Sequence, residues 1–296
     1  MNKNNLSEFT ACPLCGKKSN IFYNTEIIKI IKDEVKLGLN KCDECGMQFI
    51  SPRLNKEGLK LLYSSYKTST VSGKYNTESD VSKLEYIAFA KYIRQTLPNG
   101  GRILDVGCGI GNLISEFKGE KKYDIFGIEF SEVPAKQAIE RGFNVKCGDL
   151  ISERYPSKSF DAIVLLYVLE HVPNPREILR EINRLLKDDG RFFMAVPNYR
   201  YLKIAFDNKI SRMIVRDKIS LHAGEHLQNY TPVTLRKMLE LENYRVVSQK
   251  LATPLNTGSF LVKITKWSLY ILVKLIFLFG YNIGGIHIIA KKANHE

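Results

Sequence analysis

Residues 102–112 read RILDVGCGIGN. A short apolar run (Ile103, Leu104, Val106) surrounds an acid, Asp105, and opens at once into Gly107, Gly109 and Gly111. Leu113, Ile114 and Phe117 then recur at helical spacing. The pattern is a strand, a glycine turn and a helix, which brings bare backbone and a helix N-terminus against a ligand. Dinucleotide folds use this geometry for pyrophosphate. Here a carboxylate stands at the strand end, which suits a cationic amine better than a phosphate.

The same alternation continues along the chain. A helical pattern at 81–97 precedes the first strand. Strands are predicted at 123–129, 143–146, 160–166 and 191–196, with helices at 131–141 and 175–186 between them. Strands alternating with helices predict an α/β fold, a doubly wound, mostly parallel seven-stranded Rossmann-like sheet that binds ligands at the carboxyl ends of its strands. Glu129 closes the second strand, 24 residues after Asp105, where an acid accepts ribose hydroxyls. Phe130 beside it is placed to pack on a base, and Asp149 with Leu150, after the third strand, suits an adenine amine and ring face. Each acid alone also reads as a helix cap or a surface carboxylate. Three of them at successive strand ends, after a glycine loop, describe a site for S-adenosylmethionine.

The chain has 296 residues, 44% apolar and 25% charged, enough for one full α/β domain and a smaller unit. Its formal charge of +13 is uneven: residues 101–200 balance to zero, while 1–100 carry +5 and 201–296 carry +8. Basic flanks face a membrane surface, nucleic acid or an anionic substrate, or are simply solvated. The N-terminal MNKNNLSEFT contains no apolar signal-peptide core, so a cytoplasmic setting is expected.

Six cysteines in such a chain read as thiols or metal ligands rather than disulfides. Cys12-Pro-Leu-Cys15-Gly and Cys42-Asp-Glu-Cys45-Gly are two copies of one knuckle, 26 residues apart. Two C-x-x-C turns complete a tetrahedral structural site, so Cys12, Cys15, Cys42 and Cys45 are predicted to hold Zn2+. A redox pair is the competing reading, but it needs no matched second pair. The segment between the knuckles looks strand-like and too polar for a core of its own, so metal is expected to hold it. Cys108 and Cys147 read as small buried hydrophobes.

These residues resemble the class I S-adenosylmethionine-dependent methyltransferases. LDVGCGIGN matches the first motif of that family, IFGIEFS the second and CGDL the third. FDAIVLLYVLEHVPNP looks like the fourth, in the form seen in ubiquinone-biosynthesis-like O-methyltransferases. The resemblance implies that Asp105 and the glycines hold the methionine end, Glu129 the ribose, and Asp149 with Leu150 the adenine. At the front, CDECGMQFISPRLNKEGLKLLYSSYK is similar to the zinc-ribbon lead-in of a bacterial methyltransferase group associated with cell-surface polysaccharide or natural-product pathways, and EHLQNYTPVTLRKMLE resembles a later segment of the same group.

Methyl transfer needs donor and acceptor held in line, plus a base where the acceptor must lose a proton. The fourth strand ends in Leu166-Tyr167-Val168-Leu169-Glu170-His171 rather than in an acid or Asn followed by Pro-Pro-aromatic, which disfavours exocyclic amines of bases. The candidate bases are His171, His222, Glu225 and His226, with His226 and His171 ahead because imidazole titrates near neutrality. His171 also reads as a residue that orients the loop before Pro173. The expected acceptor is a hydroxyl of a sugar, glycan or lipid-linked small molecule. An RNA methyltransferase with a zinc module is the alternative. It is opposed by the absence of a dense basic and aromatic face on the ribbon. A non-enzymatic binding module is opposed by the intact acids and glycines.

The expected organisation is a zinc ribbon at 1–52, a helical lead-in at 53–100 that contributes to the acceptor pocket, and a catalytic domain at 101–296 with an insertion at 197–230. Residues 259–281 are apolar over about the length of a membrane span, but Lys263, Lys266 and Lys274 interrupt them. An amphipathic helix in a membrane interface is expected there, against a buried helix or a dimer contact.

Overall fold

The computed structural model describes residues 6–18, 21–30, 33–68, 80–199, 224–251 and 285–293. His222 and the apolar segment 259–281 lie outside them. Among the described residues no helix is long and apolar enough to cross a membrane.

Seven strands form the main sheet: β6 (Gly101–Val106), β7 (Tyr123–Glu129), β8 (Val145–Cys147), β9 (Phe160–Leu166), β10 (Leu186–Pro197), β12 (Tyr244–Leu251) and β13 (Gly285–Lys292). Their order is β12-β13-β10-β9-β6-β7-β8, and β13 alone runs antiparallel to its two neighbours. The expected seven-stranded, mostly parallel sheet is therefore present. The order reverses between β6 and β9, which opens a crevice at their carboxyl ends. β9 sits at the centre, and Ala162, Ile163, Val164 and Leu165 are each wholly buried, the continuous apolar run of a strand covered on both faces.

Helices α2 (Asp80–Thr96), α3 (Asn112–Ser115), α4 (Glu132–Glu140), α5 (Pro175–Leu185) and α6 (Pro232–Leu241) flank this sheet. In α5, Pro175 occupies the first turn and Ile178, Leu179, Ile182 and Leu185 form one buried stripe. α6 starts in a reciprocal cap: Thr231 Oγ1 accepts from the Thr234 amide at 3.2 Å, and Thr234 Oγ1 accepts from the Thr231 amide at 2.9 Å.

The N-terminal part contributes β1 (Ser7–Glu8), β2 (Ile21–Ile30), β3 (Asp33–Lys41), β4 (Gln48–Ile50), β5 (Arg53–Leu54) and α1 (Lys56–Thr68). A two-residue strand from the other end of the chain, β11 (Gln228–Asn229), extends the β4-β3-β2 sheet. The segment between the knuckles, expected to be too polar for a core of its own, buries its apolar residues against elements outside it. Val35, Leu37 and Leu39 alternate onto one face of β3 and bury against Leu6, Ile50, Leu54 and Leu62. Leu14, Met47 and Phe49 join the core of the main sheet itself. Cys108 is buried as expected, whereas Cys147 on the edge strand β8 is exposed.

Candidate functional site

The glycine loop lies at the sheet's switch point. Gly107, Gly109 and Gly111 take φ of +72°, +54° and +81°, the left-handed region that glycine enters without penalty. A Cβ on Gly107 would overlap Val168 Cγ2, and one on Gly111 would come within 2.5 Å of the Phe143 ring. A Cβ on Gly109 would meet nothing within 4 Å, so this glycine faces open space.

Two acids border that space. Asp105 is 4% exposed, and burial, with the nearby Glu129 carboxylate, pushes its carboxyl up to about 7. Two carboxylates sharing a crevice in this way form a site that a cation would complete. Glu129 Oε2 accepts the Gly109 amide hydrogen at 2.9 Å, and Oε1 accepts that of Ser131 at 2.8 Å. Phe130 is 72% exposed beside it. Asp149 is exposed after β8, while Leu150 is buried beneath it. The residues assigned to methionine, ribose and adenine thus line one crevice edge over β6, β7 and β8. Their acidic and apolar chemistry fits a sulfonium nucleoside with a free amine.

The two favoured histidines, 55 residues apart in the chain, meet just after β9. A single turn of 3-10 helix, Leu169–His171, follows β9, and the ring of His171 lies edge-on to that of His226 with centroids 4.7 Å apart. His171 Nδ1 is 3.0 Å from the Glu225 carbonyl and donates there, while its Nε2 lies 3.9 Å from Glu170 Oε1. His226 Nδ1 is hydrogen-bonded to the Tyr199 hydroxyl. Glu225 therefore contributes its backbone to His171.

Sequence reasoning passed over Glu170. It is 1% exposed, neither carboxyl oxygen has a hydrogen-bond partner among the described residues, and burial pushes it up to about 8. One ligand atom from each of Glu170, His171 and His226 lies within 4.8 Å of the others. The available signal was an acid inside an apolar run, Val168-Leu169-Glu170-His171-Val172. The Leu227 amide donates to the Glu170 carbonyl at 2.7 Å, and the Ile50 amide of β4 donates to the Leu227 carbonyl at 2.9 Å. The N-terminal module is thereby tied to the histidine pair by backbone bonds.

The four N-terminal sulfurs converge as the knuckles predict. Cys12 and Cys45 Sγ are 3.5 Å apart, Cys15 and Cys42 Sγ 3.4 Å, and all four lie within 4.8 Å of one another. Tetrahedral Zn–S bonds of about 2.3 Å require sulfurs roughly 3.8 Å apart, close to this spacing. The turns are superposable in their bonding: the Gly16 amide donates to the Cys12 carbonyl and the Gly46 amide to the Cys42 carbonyl, each at 2.8 Å. Burial pushes the Cys12 thiol up to about 11, a cost that a bound cation would remove. A separate cleft of about 690 Å³ between this module and residues 173–180 contains none of the predicted site residues.

Comparison with known proteins places these features in a family context. A model of the methyltransferase domain matches residues 81–249. The ubiquinone biosynthesis O-methyltransferase of Pseudomonas fluorescens (strain Pf0-1) is 34% identical over 107 residues, which is 33% of this chain and 45% of that protein. The protein of the same description from Aeromonas salmonicida is 29% identical over 148 residues, 48% of this chain and 61% of its own. The matches thus span about half the length of the curated relatives. Among solved structures, the 1,6-didemethyltoxoflavin-N1-methyltransferase of Burkholderia thailandensis, with 1,6-didemethyltoxoflavin and S-adenosylhomocysteine bound, aligns with a TM-score of 0.56. It is 17% identical and covers 92% of this chain and 100% of that one. The PH0226 protein of Pyrococcus horikoshii OT3 aligns at 0.51, with 14% identity over 77% of this chain and 98% of that one. At these identities the likeness is one of fold.

Proposed function

We propose, from the premise that this chain belongs to the methyltransferase-domain family, that it transfers the methyl group of S-adenosylmethionine to a hydroxyl of a small molecule, in particular a sugar, glycan or lipid-linked intermediate. S-adenosylmethionine supplies an electrophilic methyl group when bound. Asp105 with Gly107, Gly109 and Gly111 holds the methionine end, Glu129 the ribose, and Phe130, Asp149 and Leu150 the adenine. His226 takes the proton of the acceptor hydroxyl in the tautomer whose Nδ1–H donates to the Tyr199 oxygen, which puts the lone pair on Nε2. His171 borders the same site.

The observation that carries this reading is the meeting of His171 and His226, 4.7 Å apart, at the end of β9. Val168, which precedes the Leu169–His171 turn, packs on Gly107 of the glycine loop. The ubiquinone biosynthesis O-methyltransferases, 34% identical over 107 residues and 29% over 148, support oxygen as the acceptor atom.

Cys12, Cys15, Cys42 and Cys45 hold a structural Zn2+ in a ribbon at 1–52, followed by a lead-in at 53–100 and the catalytic domain at 101–296. The apolar segment 259–281 rests on a membrane interface. Labelled S-adenosylmethionine incubated with fractionated cell material tests the acceptor class: label in lipid, glycan or small molecules supports it, and label in RNA overturns it. An unchanged turnover in His226→Ala would remove that residue from the chemistry.

A further inference from the structure

A second polar cluster stands at the carboxyl edge of the sheet, made of residues that the reading above leaves unused. Tyr167 directly follows β9 and takes a left-handed backbone, φ +56°. A bulky side chain holds that conformation only where its surroundings over-determine it, and such residues concentrate at functional sites. The Tyr167 amide donates to the Ala195 carbonyl at 2.8 Å, and its hydroxyl donates to Glu85 Oε1 at 2.7 Å. His287 Nε2 lies 3.2 Å from the same oxygen. Phe89 packs on the His287 ring with centroids 4.9 Å apart. Gly285 lies so close beneath the Tyr167 hydroxyl that a Cβ there would come within 2.7 Å of it. Helix α2, the end of β9 and the start of β13 thus each contribute one group, 82 and 202 residues from Glu85.

The bonding leaves two acceptors free. The Glu85 carboxylate accepts from both Tyr167 and His287, so the imidazole proton sits on Nε2 and Nδ1 keeps its lone pair. Glu85 Oε2 and His287 Nδ1 have no other partner among the described residues, and the two side chains are 22% and 15% exposed. Burial and the Glu85 carboxylate keep the Tyr167 phenol protonated, so it serves as a fixed donor that orients Glu85. Tyr167 and the Leu169–His171 turn both follow β9, so the two clusters leave the sheet from the same strand end. A carboxylate oxygen and an imidazole lone pair on two bonded, partly exposed side chains match a ligand that presents O–H donors.

We propose that Glu85 and His287, positioned by Tyr167, bind a second hydroxyl of the acceptor while the His171–His226 side receives the hydroxyl that is methylated. The acceptor class is then a diol or polyol rather than a lone alcohol or phenol. This rests on the reading of the protein as an O-methyltransferase.

The test measures label transfer from S-adenosylmethionine into the small-molecule fraction of a cell extract, as a function of extract concentration, for wild type, Glu85→Gln, His287→Asn and Tyr167→Phe. Loss of a hydrogen bond to a bound hydroxyl raises the half-saturating concentration by about tenfold, with the binding of S-adenosylmethionine by calorimetry unchanged. Half-saturation equal to wild type in both Glu85→Gln and His287→Asn overturns the proposal. Independently, NMR of nitrogen-labelled histidine is recorded while catechol or methyl α-D-mannopyranoside, an aromatic and a sugar diol, is added. A shift of the His287 imidazole signals with either probe that is lost in Glu85→Gln supports the site. Unmoved signals with both overturn it. Absence of any label transfer by wild type would instead defeat the methyltransferase reading, while the NMR titration still decides the cluster.

Discussion

Glu129 at the end of β7 holds the glycine loop at the end of β6: its Oε2 accepts the Gly109 amide hydrogen at 2.9 Å. Its other oxygen accepts the Ser131 amide hydrogen at 2.8 Å and so anchors the start of α4. One carboxylate therefore orders the loop and stands where ribose hydroxyls are expected. Glu129→Ala removes both functions. Its affinity for S-adenosylmethionine should fall roughly 10- to 100-fold by calorimetry, as expected for loss of one or two charge-assisted hydrogen bonds. Affinity within twofold of wild type would show that Glu129 serves the loop alone.

The three loop glycines should respond differently to alanine. At Gly107 and Gly111 the added Cβ meets Val168 and Phe143 on a left-handed backbone, so each substitution should cost about 1–3 kcal/mol in urea unfolding. At Gly109 the Cβ enters open space, and the conformational cost alone is about 1 kcal/mol. Gly109→Ala should therefore stay folded while binding the donor more weakly. Equal destabilisation at all three positions would contradict this packing.

Stability should fall as pH rises from about 4 to 8. Asp105 and Glu170 ionise near 4 when unfolded and at about 7 and about 8 when folded. Between these values the native state binds more protons than the unfolded state, so the slope of stability with pH is negative. The contribution is fully present below pH 4 and is lost through 7 and 8. Urea unfolding at pH 5, 7 and 9 should show this decline, flattened in Asp105→Asn and Glu170→Gln. A decline of the same size in both variants would place its origin elsewhere.

Metal analysis of the purified protein should return one zinc per chain, and none in Cys42→Ser combined with Cys45→Ser. Removing it should destabilise the knuckles by several kcal/mol, because four thiols, Cys12 and Cys42 of them buried, then lose their common ligand. Since β4 pairs with β11, next to His226, zinc loss should impair acceptor turnover more than donor binding. Full turnover in metal-free protein would separate the module from the site.

The readable parts of this protein were those written in neighbouring residues. Strands β6, β7, β8, β9 and β10 overlap the predicted strands because period-two and period-3.6 patterns act over short distances, although β10 begins earlier, at Leu186. The knuckles were legible from two spacings, and the glycine turn from one. The alternation of Val35, Leu37 and Leu39 was equally local and signalled a small core that the polar composition of the segment concealed. Cys147 was misplaced because an edge position depends on sheet order, which a single strand does not encode.

The sequence by itself determined a mostly parallel α/β sheet, three acids, Asp105, Glu129 and Asp149, at or just after successive strands, and four thiols that converge. Each of these follows from turn chemistry or periodicity within a few residues. Only the tertiary structure brought His171 to His226, buried Glu170 with no hydrogen-bond partner for its carboxyl oxygens among the described residues, and joined Glu85, Tyr167 and His287. Those meetings link residues 55 to 202 positions apart. They are decided by strand order and by which faces bury together, terms that no local window of sequence contains.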